Sequence, residues 1–306
     1  MAKKIESLKF SLLERGHVPN SSCEFGTCPR IYLMILICGM LLFLTGPALA
    51  QDGPVARIIS LGPVLTEEIF LLGGEDRLVG VTTYCQRPAA AKLKERVGSI
   101  QDINIEKVVS LKPDLVLATV LTDPRAKAKL RGLGIRVVDV PNAVDFDGVC
   151  DVFTLVAGFL GKEKEAAAII ADSRQKVAAL RSKVNTAARV RVFVEVGVNP
   201  LVTIGQGAFV NDLITLAGGD NIVREQGYLQ YSRETVLKRD PDVILISSMG
   251  FDGAREKTNW ERFGSLKAVA DGRINILDEY LLCSPTPVSF VQTLVVIMGF
   301  LHPEIR

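Results

Sequence analysis

Two histidines, six cysteines and 34 acidic residues are the groups with which this 306-residue chain could build metal or acid–base chemistry. Their spacing argues against both. His17 and His302 stand near opposite ends, without partners at zinc-ligand or Ser-His-Asp spacing, so a zinc hydrolase, a histidine-rich metal carrier and a triad hydrolase are set aside. Gly205-x-Gly207 precedes a helical pattern but lacks the third glycine and the later acid of a dinucleotide fingerprint. A net charge of +2 with interspersed signs offers no basic stripe for a phosphate backbone. No enzyme chemistry, intrinsic cofactor or nucleic-acid partner is expected. What remains is reversible binding by aromatic and polar side chains on loops.

The strongest compositional bias lies at residues 31–45, an uncharged run followed by Gly46-Pro47-Ala48-Leu49-Ala50. It reads as a signal-peptide core with an Ala-x-Ala cleavage site after Ala50. A spanning helix needs about 20 apolar residues, and Gly46 and Pro47 cut this run short. The leader holds five of the 36 basic and three of the 34 acidic residues, which leaves a mature chain with 31 of each. Cys85, Cys150 and Cys283 stay behind, an odd number that permits at most one internal disulfide in an exported protein.

The mature chain repeats itself. Residues 104–118, NIEKVVSLKPDLVLA, align without gaps on 232–246, SRETVLKRDPDVILI, an offset of 128. Residues 65–79 resemble 209–223, each a periodic helix running into Gly-Gly. Two copies make a duplicated lobe, not a solenoid. Short apolar runs at 57–60, 78–81, 115–118 and 137–140, then at 191–196, 243–246 and 274–277, predict strands buried on both faces and separated by helices. The expected fold class is α/β, two Rossmann-like three-layer lobes joined by a long backbone helix. Residues 1–50 are assigned as signal peptide, 51–147 as the N-terminal lobe, 148–188 as the backbone helix region and 189–306 as the C-terminal lobe. Residues 162–187 hold strong helix formers without proline or glycine, and Gly161 separates them from an apolar helix at 145–160.

SLGPVLTEEIF, VGVTTYC, NIEKVVSLKPDLVLA, GVNPLVTIG, LAGGDNIV and SRETVLKRDPDVIL, in this order, resemble the periplasmic substrate-binding proteins of ABC importers for metal chelates. This is the family of vitamin B12, iron-siderophore and haem receptors with a helical backbone, and the vitamin B12-binding branch matches best. The resemblance spans residues 55–302. It implies a ligand held between the lobes, a periplasmic location, and one glutamate per lobe docking onto arginines of a membrane permease dimer; these fall at Glu106 and Glu234. Each follows an N-cap residue, Asn104 or Ser232, so each would also complement a helix dipole.

Ligands of open α/β sheets sit beyond the carboxyl ends of the strands. The loops there nominate Pro63, Tyr84, Cys85, Ile100, Thr119, Asn199, Tyr228, Asp278, Glu279, Tyr280 and Cys283. By resemblance, Tyr84 matches a ring-contacting tyrosine of the vitamin B12 branch and Tyr228 falls where that branch has tryptophan. Ile100, Thr119 and Val196 replace further aromatics. The loop DEYLLCSPTP at 278–287 lacks arginine and carries Asp278 and Glu279, which favours a neutral or cationic chelate such as a corrinoid over an anionic iron chelate. Cys85 and Cys283 are read either as thiol ligands or a lobe-closing disulfide, or as small apolar cleft residues. Cys150 is read as core and Trp260 as packing at a lobe surface. A monomeric binding protein is the leading reading. A siderophore or haem receptor of the same family and a membrane-anchored sensory or docking module are the alternatives.

Overall fold

The computed structural model describes residues 55–247, 250–283 and 285–305. The leader, with its apolar run and the Ala50 cleavage site, lies outside the described residues. Among the described residues, no helix is long and apolar enough to cross a membrane.

The first lobe runs β1 (Ile58–Ser60), α1 (Pro63–Leu71), β2 (Leu78–Val81), α2 (Ile105–Ser110), β3 (Leu115–Ala118), α3 (Pro124–Gly132) and β4 (Val137–Asp139). Its four strands are all parallel, in the order β2-β1-β3-β4. Alternate residues fill two apolar layers. Ile58, Leu115 and Leu117 pack with Leu65 and Ile69 of α1 and with Phe153 and Val156 further along the chain, whereas Ile59, Val116 and Ala118 pack with Val108 of α2 and Leu130 of α3. Burial of both faces is why these strands read as unbroken apolar runs.

Two helices connect the lobes, α4 (Phe146–Leu160) and α5 (Glu163–Val184). Asp145 caps the first, its carboxylate accepting from Gly148 N at 2.7 Å, and Gly161 ends it at φ 62°, a left-handed conformation that costs glycine little. The 22 residues of α5 extend for about 33 Å.

The second lobe contains β5 (Val190–Val198), β6 (Leu201–Ile204), α6 (Phe209–Leu216), β7 (Gly219–Asn221), β8 (Tyr228–Gln230), α7 (Arg233–Arg239), β9 (Val243–Ser247), α8 (Gly253–Glu261), α9 (Lys267–Ala270), β10 (Ile274–Leu277), α10 (Glu279–Cys283) and α11 (Pro287–Leu301). β7, β5, β9 and β10 are parallel and repeat the order β2-β1-β3-β4, so the duplication seen in sequence is one of topology. The second copy differs at one edge. Beyond the three residues of β5 that pair with β7, its far end pairs with β6 antiparallel, and β6 pairs antiparallel with β8. The parallel pattern expected from the apolar runs did not include this hairpin, because an apolar run such as β6, LVTI, does not state the direction of its pairing. Trp260 is fully buried, in contact with Phe193 and Phe263, and not a surface packing residue as its charged neighbourhood suggested.

Candidate ligand cleft

A cavity of about 480 Å³ opens between the lobes. The first lobe contributes Val64 and Leu65 from the start of α1, Thr119 and Leu121 from the loop after β3, and residues 140–144 after β4. The second contributes Gly207, Ala208 and Phe209 after β6, Tyr228 of β8, and Leu282 and Pro285 around the end of α10. The first-lobe groups all follow carboxyl ends of strands, where a parallel sheet exposes them. Among the described residues, no charged side chain lines the cavity, and Thr119, Asn142 and Tyr228 supply its polar side-chain atoms.

Local backbone features hold this wall in place. A Cβ at Gly62 would lie 2.5 Å from Thr119 Cγ2, so glycine lets the loops after β1 and β3 close on each other. Thr119 N donates to Thr122 Oγ1 at 3.1 Å, and Thr122 is itself buried. On the opposite wall, Asn221 Nδ2 donates to Ile204 O at 2.9 Å, and a Cβ at Gly205 would meet Glu225 O at 1.9 Å. These contacts fix the exit of β6 and therefore Gly207–Phe209.

Of the residues nominated from sequence, the cavity brings together Thr119 and Tyr228. Pro63 opens α1 beside the lining residues Val64 and Leu65. Tyr84 is 58% exposed in the turn after β2, Ile100 is half-buried with its carbonyl accepting from Asp123 N at 3.3 Å, and Asn199 is exposed at the β5–β6 turn. None of these three lines the cavity. Cys85 is a correction. It is fully buried within the first lobe, receiving a hydrogen bond from Thr66 Oγ1 at 3.1 Å and lying 3.2 Å from Thr82 Oγ1, so it is neither a cleft wall nor placed to cross to the other lobe. Cys150 is buried as read, and burial pushes its thiol up to about 11.

Asp278 is exposed and accepts from Tyr280 N at 2.8 Å, which starts α10. Asp278 does not line the cavity, whereas the aliphatic Leu282 and Pro285 do. The side chains of Glu279 and Cys283 lie outside the described residues. Tyr280 reaches across the lobes, its ring centroid 4.8 Å from Arg87 Cζ in the loop after β2.

A second hollow of about 590 Å³ lies among α4, α5 and α6. Its carboxylates already have partners: Asp145 caps α4, Asp212 accepts from Phe146 N at 2.8 Å, and Asp147 pairs with Arg174 at 2.5 Å. These bonds fasten the base of the molecule and leave the interlobe cavity as the better ligand site. Among the described residues, no group of three or more His, Cys, Asp or Glu is arranged to hold a metal ion.

Glu106 and Glu234 are both exposed, each the second residue of a short helix preceding an equivalent strand, β3 or β9. Asn104 Oδ1 accepts from Lys107 N at 2.9 Å and Ser232 Oγ from Thr235 N at 3.1 Å, as the shared sequence pattern requires. Glu234 pairs with Lys238 at 2.9 Å.

The sequence reading missed residues 140–144, Gly207–Phe209, Leu282 and Pro285. The first group follows a predicted strand and was accessible to the carboxyl-end rule. The second follows β6, an apolar run whose antiparallel pairing the sequence does not announce.

Residues 58–281 match the model of the periplasmic binding protein family. The vitamin B12-binding protein of Vibrio cholerae is 34% identical over 255 residues, covering 82% of this chain and 91% of that protein. A crystal structure of periplasmic vitamin B12 binding protein of Vibrio cholerae superposes with a TM-score of 0.68 at 31% identity, over 81% of this chain and 97% of the other. A periplasmic haem-binding protein of Pseudomonas aeruginosa gives 0.76 at 25% identity, over 82% and 94%. With the motif order, the doubled lobe and the interlobe cavity all in agreement, this chain belongs to the periplasmic binding protein family.

Proposed function

We propose that this protein is the substrate-binding component of an ABC importer, taking up a corrinoid of the vitamin B12 type in the interlobe cavity and delivering it to the permease. It acts outside the cytoplasm and binds its cargo without changing it. The observation that carries the corrinoid reading is a cavity wall whose described residues carry no charged side chain, in a chain related over most of its length to vitamin B12-binding proteins. Such a wall suits a flat macrocycle whose metal charge is already offset by its own ring nitrogens, held by the Tyr228 ring and by aliphatic contacts. The metal belongs to the cargo. Haem is the second reading, favoured by the TM-score of 0.76 with the Pseudomonas aeruginosa protein.

Several finer assignments belong to the same proposal. Residues 1–50 are removed as a signal peptide, residues 51–147 and 189–306 are the two lobes, and 148–188 the connecting region. The protein works as a monomer, and Glu106 and Glu234 engage arginines on a permease dimer. The pseudo-symmetric placement of the two glutamates supports that docking, and their place in the first turn of each helix serves the helix dipole as well.

Titration with cyanocobalamin, cobinamide, haemin and ferric siderophores tests the ligand. Tight binding of a corrinoid with a matching thermal shift is expected. Binding of haemin alone would transfer the assignment to haem and leave the family unchanged.

A further inference from the structure

We propose that Arg233 is a positioning residue for Glu234: its guanidinium, held inside the second lobe by Glu256 and the Trp260 ring, sets the rotation of α7 that presents Glu234 to solvent. This rests on the reading of Glu234 as a docking residue.

A seven-residue helix has little stability of its own, so its orientation comes from tertiary anchors. Val236 is one, fully buried. Arg233 is the other at the end that matters. Its guanidinium carbon lies 4.5 Å from the Trp260 ring centroid, and it ion-pairs with the buried Glu256, whose second oxygen accepts from Asn259 Nδ2 at 2.9 Å. Trp260 in turn donates its indole N–H to Glu195 of β5. Successive helical residues diverge by about 100°. An inward Arg233 therefore turns Glu234 outward, where it is exposed.

The cluster is not a requirement of the fold. In the first lobe the position equivalent to Arg233 is Ile105, which packs against the apolar cluster of Ile59, Val108 and Val116 and leaves Glu106 exposed in the same way. An ionic cluster inside an apolar layer costs desolvation that an aliphatic anchor avoids. Both Glu195 Oε1 and Arg233 Nη1 are buried without a partner, so the cluster is poised and not saturated. What it adds is sensitivity to protonation. With Glu195 neutral, Arg233 and Glu256 balance; with Glu195 ionised, one buried negative charge is in excess. Burial first, then the nearby Glu256, pushes Glu195 up to about 8, against the pull of the Trp260 N–H and Arg233. Those are the charged groups facing it from α7 and α8. Its neighbours in the sheet, Thr203 of β6 and Ile246 of β9, do not titrate. Among the described residues, only the second lobe carries this device.

Trp260 is the single tryptophan of the chain, so its emission reports the cluster directly. In the full-length protein, Trp260 emission should titrate with a midpoint near 8, and Glu195→Gln should abolish the transition. Emission that is flat through the alkaline range, or unchanged in Glu195→Gln, overturns the proton-linked cluster. Docking is read with the cognate importer in nanodiscs, and cleft integrity with cyanocobalamin. Arg233→Ala combined with Glu256→Leu removes the anchor itself, where Ile105 keeps an aliphatic one, and leaves no unpaired charge behind. It should weaken docking about tenfold, as Glu234→Ala does, with cyanocobalamin affinity unchanged. Wild-type docking by the paired variant alongside a docking loss in Glu234→Ala overturns the positioning role alone. Wild-type docking by Glu234→Ala overturns the docking reading and the proposal with it.

Discussion

Arg87 of the first lobe stands over the ring of Tyr280 in the second, 4.8 Å from its centroid. Burial raises the carboxyl of Glu67 in the first lobe, and the nearby Arg87 charge acts against that shift. A cation–π contact is worth about 0.5–2 kcal/mol, and this one crosses the cleft. Arg87→Met and Tyr280→Leu should each speed release of bound cyanocobalamin severalfold. The double variant should be no faster than the faster single one, measured by stopped-flow displacement. Additive effects would mean that the two residues act separately.

Tyr228 lines the cavity and Tyr84 does not, although both are exposed aromatics. Tyr228→Ala should lose about 1.5 kcal/mol of cyanocobalamin affinity or more, in the range of a buried aromatic contact. Tyr84→Ala and Asn199→Ala should stay within a few-fold of wild type by calorimetric titration. The reverse order would place the ligand nearer the loop after β2.

Glu68 is fully buried on α1 with neither carboxylate oxygen partnered. Burial raises its carboxyl well above the ordinary value of 4.5, with Glu67 adding to the shift, so the fold favours its protonated form. Between the unfolded and folded values the native state binds the extra proton. Stability is thus fully present below about 4.5 and declines as pH rises toward the folded value. Glu195, raised to about 8, slopes the same way. Glu68→Leu should stabilise by roughly 1–3 kcal/mol, the cost of an unsatisfied buried group, and flatten the loss from acid to neutral pH in urea denaturation. A destabilised Glu68→Leu would reveal a hidden partner for the carboxyl.

Cys85 and Cys150 are free and buried. Neither should react with a thiol reagent at mildly alkaline pH until the protein is unfolded, with or without cyanocobalamin. Rapid labelling of Cys85 in the native protein would return it to the cleft.

Glu106→Ala with Glu234→Ala should abolish cobalamin uptake in reconstituted vesicles while leaving cyanocobalamin affinity unchanged. A fall in affinity would show that the pair supports the lobes and does not dock.

The legible part of the cleft was the part built by strong local signals. The strands Ile58–Ser60, Leu115–Ala118 and Val243–Ser247 are buried on both faces, so each left a dense apolar run. Asn104 and Ser232 signalled helix starts because a side-chain cap acts within three residues. Tyr228 and Thr119 were found by the same logic, as residues next to such elements. Cys85 was misplaced because its position after β2 suits either a cleft loop or an inward turn. The choice depends on Thr66, 19 residues away, which offers its hydroxyl.

Sequence by itself determined the duplicated α/β lobes, the helical connection and the two equivalent glutamates, because periodicity, capping and repetition are local properties of the chain. Only the tertiary structure decided which residues share the cavity. Val144, Phe209, Tyr228 and Leu282 come from four separate segments, and no local pattern encodes that they meet. The same holds for Trp260, which lies in a charged stretch yet is buried, because its partner Glu195 is 65 residues away. Long-range packing sets that burial, and a solvated indole N–H would otherwise have no reason to leave water.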